Sequence, residues 1–453
     1  MLSLESEFPW GCFSESADEN KAMSKQSSFF LQNLNLIDVD KGRVLCNASL
    51  RIEEGKIASF GVGILPQKGD KKIDCKGAYA LPGLIDAHCH LFGNGVPSKA
   101  IAHKGKGQDF LKKLIPTWIG KAYLHHQAKA SLQQALYAGI TTVRALGDIR
   151  YSDIWAKKKM EAGSFLGPRL LTSGYAVTTP DGHGVGTISI GCATYEEYDS
   201  QIKKNVKEGC DWIKIMATSG VMDATDSKHP GELRMNFEEI KHCVEKAHSL
   251  GFKISSHTEN SQGVYYCLKA GVDTIEHGAP LNQEMLELLR NGKSKIVATF
   301  SPSYPTVALP LEDSKYTQEQ QKATKIVYDG IASAARACYE NGIPVGLGTD
   351  ASCPFSLHST MWREICFYQK AVGCTNLEAL RAGTLGNAEI LGLDEVTGSI
   401  GVGKVADLLL VKENPLENLK TLSHPVAVFA KGQRSTKRRK RYKKVEKLLD
   451  SLL

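Results

Sequence analysis

Between residues 80 and 349, short apolar or β-branched runs alternate with stretches of helical period, and this alternation limits the fold more than any other feature. Eight runs read as strands: 80–90, 140–146, 169–173, 212–216, 253–257, 274–277, 296–300 and 344–349. Eight βα units over about 270 residues predict a (β/α)8 TIM-like barrel, an α/β fold with a parallel sheet. The spacing of Ile240, Val244, Ala247 and Leu250 predicts a helix over 237–250, closed by Gly251. The flanks differ. Residues 28–82 hold short alternating runs separated by Gly and Asp/Lys turns, a pattern of small antiparallel strands, and 405–411 and 426–429 repeat it. The predicted organisation is a leader over 1–27 and a small β-sandwich domain from both chain ends (28–82 and 398–433). A barrel over 83–397 and a basic tail over 434–453 complete it.

Charge enters through that tail. The chain carries 56 Lys+Arg and 49 Asp+Glu, and residues 434–453 alone hold nine of the former and two of the latter. The body is neutral, so no nucleic-acid-binding face is expected. The tail reads as a solvated helix, since only Tyr442 interleaves its cations. Twelve cysteines are scattered without a C-x-x-C pair, which argues against a disulfide framework or a thiolate zinc site and favours a reducing, cytoplasmic setting. The N-terminus lacks the apolar core of a secretory signal, and no window approaches the length of a membrane span.

Candidate chemistry gathers at strand ends. His88 and His90 close the first strand, and side chains two apart share a face, so one ion can take both imidazoles. His257 ends the fifth strand, His277 the sixth and Asp350 the eighth. In this fold the C-terminal strand ends meet at one mouth, and four imidazoles with a carboxylate suit zinc or a similar divalent ion. Lys214 lies inside the apolar run Trp212-Ile213-Lys214-Ile215-Met216, where a buried unpaired ammonium costs several kcal/mol. Two readings are open: a salt-bridged interior lysine, or an amine of lowered pKa that takes up carbon dioxide as a carbamate and bridges two metals. The surroundings suit the second better.

Through Leu81-Pro82-Gly83-Leu84-Ile85-Asp86-Ala87-His88-Cys89-His90, Lys214, His257, Glu276-His277-Gly278 and Gly348-Thr349-Asp350, the chain resembles the amidohydrolase superfamily. The ending Gly398-Ser399-Ile400-Gly401-Val402-Gly403-Lys404-Val405-Ala406-Asp407-Leu408 looks like that family's return into its small β-sandwich. Within the superfamily the likeness is to the imidazolonepropionase-related, prolidase-like metallo-dipeptidases of Xaa-Pro or Xaa-Arg type. The resemblance implies two divalent metals, zinc by expectation. It puts His88, His90 and Asp350 on one, His257 and His277 on the other, and a carboxylated Lys214 across both. It implies hydrolysis of a C–N bond in a dipeptide or N-acyl amino acid by a metal-bridging hydroxide, with Asp350 as proton shuttle.

His183 stands where the resembled group has a Gly-His-Gly turn and is assigned to substrate carbonyl or oxyanion contact, against a solvent-facing loop histidine. Arg234 and His229 are candidate receivers of a substrate carboxylate, though ordinary loop roles suit them better. Ala145, Ser219 and Asp181 depart from the family pattern on the substrate side, which puts specificity in doubt and leaves the metal set intact. Gly398 to Lys404 spells a phosphate-loop pattern, but Val405 replaces the Ser/Thr that magnesium needs. Alternatives are a cyclic-amide or phosphotriester hydrolase on the same site, a mononuclear deaminase, which Lys214 opposes, and a non-catalytic scaffold, which the full ligand set opposes. The expected partner is a small amide or dipeptide, with no nucleic acid and no membrane span. A homo-oligomer is left open.

Overall fold

The structure is a computed structural model and describes residues 28–97, 113–221, 228–435, 437 and 439–453. The leader expected over 1–27 lies outside them.

Among the described residues eighteen strands fall into three sheets. β1 (Phe29–Asp38), β2 (Arg43–Glu53), β3 (Lys56–Gly61), β4 (Lys71–Asp74) and β5 (Tyr79–Pro82) come from the start of the described chain. β6 (Leu84–Cys89), β7 (Ile140–Ala145) and β8 (Arg169–Leu171) form a parallel sheet of three. β9 (Ala176–Thr178), β10 (Ser189–Gly191), β11 (Trp212–Met216), β12 (Lys253–Thr258), β13 (Thr274–His277), β14 (Lys295–Ala298) and β15 (Val345–Leu347) form a parallel sheet of seven, in the order β10-β9-β11-β12-β13-β14-β15. β16 (Leu408–Val411), β17 (Ala427–Ala430) and β18 (Gln433–Ser435) return the chain to the first sheet.

Each predicted strand of the middle region has a counterpart among β6–β8 and β11–β15, joined by helices. The predicted run 80–90 is two strands, because Gly83 splits it. β5 pairs with β16 and β1 in the mixed sheet, whereas β6 pairs with β7. Glycine is required at the junction, since a Cβ there would lie 2.1 Å from Thr141 Oγ1. The two parallel sheets also meet through main-chain bonds at both margins: Trp212 N–H to Thr172 O at 3.0 Å, and His90 N–H to Ala351 O at 2.9 Å. That is the pairing a closed TIM barrel requires.

The predicted helix over 237–250 is Phe237–Ser249, started by a capping box in which Asn236 and Glu239 satisfy each other's main-chain N–H groups. It buries Ile240, Cys243, Val244 and Ala247 against the strands. Leu250, expected on that face, is its C-cap and is exposed. The end-derived sheet is mixed, not purely antiparallel: β1–β2–β3 is an antiparallel meander, but β1 also pairs in parallel with β4 and β5. It has its own core, which includes Leu31, Leu50, Ile52, Leu408 and Phe429.

The basic tail departs from the solvated reading. It does contain a helix, Lys443–Asp450, whose Val445 and Leu449 pack on Leu309, Phe355 and Leu357. Glu446 is buried and takes Arg439 at 2.7 Å and Arg441 at 3.0 Å, while Asp450 meets the buried Arg363. Part of the tail's positive charge is thus neutralised inside the fold. Among the described residues no helix is long and apolar enough to cross a membrane.

Candidate metal centre

Strand order puts the chemistry at one edge. β6, β12, β13 and the segment after β15 all run in parallel, so their C-terminal ends lie on the same side, and there the predicted histidines and Asp350 come together. Strand alternation would point Glu276 and His277 in opposite directions, but His277 takes a left-handed backbone (φ 72°), and Asp350 does too (φ 49°). This turn lets consecutive positions serve one site.

Two donor clusters result, His88/His90/Asp350 and His257/Glu259/His277, each with its ligand atoms within 4.8 Å of one another. Asp350 Oδ1 lies 3.1 Å from His90 Nε2 and 3.6 Å from His88 Nε2. Imidazole rings run continuously between the clusters, with centroids 5.0 Å apart for His88 and His277 and 4.6 Å for His257 and His277. The far nitrogens are engaged: His90 Nδ1 to Gly147 O at 2.7 Å, His88 Nδ1 to Glu276 Oε2 at 2.8 Å and His277 Nδ1 to Thr299 Oγ1 at 2.7 Å. A carbonyl and a carboxylate only accept, so His90 and His88 carry hydrogen on Nδ1 and turn Nε2 lone pairs toward Asp350, as a metal ligand must. Asp86 holds the opposite margin, accepting from Thr349 N–H at 2.9 Å and Thr349 Oγ1 at 2.6 Å, which ties β6 to the segment carrying Asp350.

The electrostatics suit a cation. Burial, the largest cause, holds His88 down to about 4 and His257 and His277 well below the usual imidazole value, so all three are neutral donors at pH 7. Burial alone would raise the Asp350 carboxyl, but the adjacent His90 and the His88 and His277 imidazoles outweigh it, favouring the anion and keeping it well below the usual range. Lys214 is completely buried, and its Nζ has no hydrogen-bond partner among the described residues. Burial lowers its pKa to about 8, and its charge in turn acts on His88, His257 and His277. Among the described residues Lys214 forms no ion pair, and the nearby charge of Glu276 is engaged by Arg144, Ser255, Thr274 and His88.

The loop residues divide. The His183 ring stacks on His257, with centroids 4.5 Å apart and planes 12° apart, so it borders the second cluster. Arg234 is mostly buried, and two carboxylates engage its guanidinium, Asp181 at 3.0 Å and Glu232 at 2.9 Å. His229 is exposed and belongs to neither donor cluster. Three residues without an assigned role in the sequence reading belong to the site. Glu259 joins the second cluster, and Arg144 and Glu276 form an ion pair of 2.8 Å beneath the first. The rule that singled out Lys214, a charge inside an all-buried strand, applies equally to Arg144 in β7 and Glu276 in β13.

Two histidine–carboxylate clusters at the C-terminal edge of a parallel sheet are a donor set for metal-dependent hydrolysis. The sequence model of the Amidohydrolase family matches residues 79–434, and the chain belongs to that family. A candidate prolidase from Bifidobacterium longum has a similar structure, with 32% identity, TM-score 0.82 and coverage of 94% of this chain and 99% of the other. A Xaa-Pro dipeptidase solved with methionine in its active site aligns at 26% identity and TM-score 0.77, covering 90% of this chain and 100% of the other. The ochratoxinase of Aspergillus niger is 26% identical over 423 residues, 85% of this chain and 82% of its own.

Proposed function

We propose that the chain is a binuclear amidohydrolase that cleaves the amide of a dipeptide or N-acyl amino acid, on a (β/α)8 barrel capped by a small β-sandwich built from both chain ends. The observation that carries this reading is the buried, unpartnered Nζ of Lys214, which acts electrostatically on both imidazole groups. The donors suit two divalent ions, zinc by their nitrogen and oxygen character. His88, His90 and Asp350 would hold one, His257 and His277 the other, and a carboxylated Lys214 would span both. Likeness to a dipeptidase, a candidate prolidase and an ochratoxinase supports the substrate class.

The bound metals would supply Lewis acidity and an activated water. Asp350 Oδ1, within reach of His90 and of the space facing His88, accepts the proton from the nucleophile and returns it to the leaving amine nitrogen. His183, fixed by its stack on His257, contacts the substrate carbonyl oxygen and steadies developing charge there. Arg234 presents a fork that fits a terminal carboxylate, which would replace Asp181, a more exposed carboxylate than Glu232 on the same guanidinium.

Elemental analysis together with a release assay tests the reading. The assay panel holds dipeptides and N-acyl amino acids with proline, basic and hydrophobic C-terminal residues, plus cyclic amides and phosphotriesters. About two metals per chain, turnover of one amide group, and loss of turnover on chelation with recovery on metal addition are expected. Two metals with turnover of only the cyclic amides or phosphotriesters would replace the substrate class, and a protein that takes up no metal would overturn the proposal.

A further inference from the structure

We propose that Arg144 and Glu276 work as a positioning pair beneath the first donor cluster, fixing His88 as its Nδ1–H tautomer with Nε2 turned to His90 and Asp350. The inference rests on the metal-centre reading above and adds two residues that touch neither substrate nor metal.

The geometry of Glu276 leaves little freedom. Its Oε1 receives three donors, Arg144 Nη2 at 2.8 Å, Ser255 Oγ at 2.7 Å and Thr274 Oγ1 at 2.6 Å. Three bonds to one oxygen, from β7, β12 and β13, fix the plane of the carboxylate, and the second oxygen is left to His88 Nδ1 at 2.8 Å. Arg144 is held as firmly. Its Nε donates to Ala87 O, the residue before His88, at 2.7 Å, and its Nη1 donates to Thr274 Oγ1 at 2.9 Å. Its guanidinium carbon lies 4.5 Å from the ring centre of Trp212. One side chain from β7 therefore touches β6, β11 and β13, and it grips the His88 main chain through Ala87 and the His88 ring through Glu276. A buried ion pair is seldom kept for stability alone, because desolvation offsets most of the attraction. Orientation of a ligand imidazole by a carboxylate is a recognised reason for keeping one, and loss of such a partner weakens metal binding by about 10- to 100-fold.

The test uses protein labelled with 15N at histidine. Long-range proton–nitrogen correlation of the metal-free protein reads the His88 tautomer directly, and zinc titration then shows which imidazoles bind at each step. Wild type should show His88 as Nδ1–H. The double variant Arg144→Met/Glu276→Met removes the pair without stranding a charge, so it should fold, which its thermal unfolding checks. It should lose the fixed tautomer and bind zinc about 10- to 100-fold more weakly at His88 and His90, with His257 and His277 unaffected. Arg144→Met/Glu276→Gln keeps a carbonyl acceptor and should recover the tautomer and most of the affinity.

Three results would overturn the pairing: His88 as Nε2–H in wild type, an unchanged Met/Met variant, or equal weakening at both pairs of imidazoles, which marks a merely structural role. If wild-type imidazoles show the predicted tautomer but ignore zinc, the metal reading fails and the proposal goes with it. The metal-free signal distinguishes that failure from a failure of the pair.

Discussion

Lys214→Met should make the metal-free protein more stable while abolishing its function. The ammonium is fully buried without a hydrogen-bond partner among the described residues, and burial takes its pKa from 10.5 to about 8. That displacement corresponds to about 3 kcal/mol of folding free energy. The unfolded chain holds the proton up to 10.5, and the folded chain releases it above about 8. The penalty is therefore present in full below pH 8 and is relieved as pH rises from 8 to 10.5. Methionine is of similar length and carries no charge, so its packing cost stays below about 1.5 kcal/mol. In urea unfolding of stripped, bicarbonate-free protein, the variant should exceed wild type by about 2–3 kcal/mol at pH 7, and the gap should close by pH 10. The same variant should bind no bridged metal pair and show no turnover. Lys214→Ala, which leaves room for a short carboxylic acid in place of the carbamate, should regain part of its activity when one is added. If Lys214→Met were less stable than wild type at pH 7, the lysine would have a stabilising partner, and the argument for a site built around an unsatisfied amine would fall.

Three further outcomes are expected. Gly348→Ala would place a Cβ 2.4 Å from His88 Cβ and 2.6 Å from its main-chain nitrogen, so it should cost about 1–3 kcal/mol and lower metal content at His88, His90 and Asp350, read by thermal unfolding and elemental analysis. Ending the chain after Tyr442 removes Val445 and Leu449 from their apolar cluster and strips Arg363 of Asp450; calorimetry should show a loss of about 3–6 kcal/mol. Asp181→Ala removes one carboxylate from the Arg234 guanidinium, so KM should fall about 3- to 10-fold for substrates with a free terminal carboxylate and stay unchanged for their amides, an effect of about 1 kcal/mol.

The strands and the main donors were legible because both obey short-range rules. Apolar runs of four to eight residues mark strands wherever they pair, and His88 and His90 share a face by the two-residue repeat alone. What was missed depends on partners far along the chain. Gly83 breaks the first predicted strand because Thr141, on the neighbouring strand, approaches too closely for any side chain. The tail looked solvated because only Tyr442 interleaves its Lys and Arg residues, but its Asp450 pairs with the buried Arg363, far back along the chain. Its apolar face needed Phe355 and Leu357, which sequence does not bring near. Arg144 and Glu276 were readable singly as charges in buried strands, but their meaning as a pair required knowing that β7 and β13 face each other across the interior.

The left-handed residues show how the site departs from its own scaffold. An ideal strand offers alternate side chains to one face, so β13 left to its pleat could present either Glu276 or His277 to the interior, and not both. At φ 72° His277 is turned back, and the strand delivers Glu276 to the His88 ring and His277 to the His257 ring in consecutive positions. Asp350 at φ 49° does the same at the end of the last strand, followed by Ser352 at φ 91° and Phe355 at φ 69°. Non-glycine residues in this region cost about 1–3 kcal/mol each, and such strain persists only where neighbours over-determine the backbone. Those neighbours are identifiable: Asp86 holds Thr349, His358 Nε2 binds His90 O at 2.7 Å, and the C-terminal helix packs on Phe355 and Leu357. The terminal helix thus belongs to the same mechanical unit as Asp350, and the truncation after Tyr442 should disturb metal binding at His88, His90 and Asp350 before it disturbs His257 and His277.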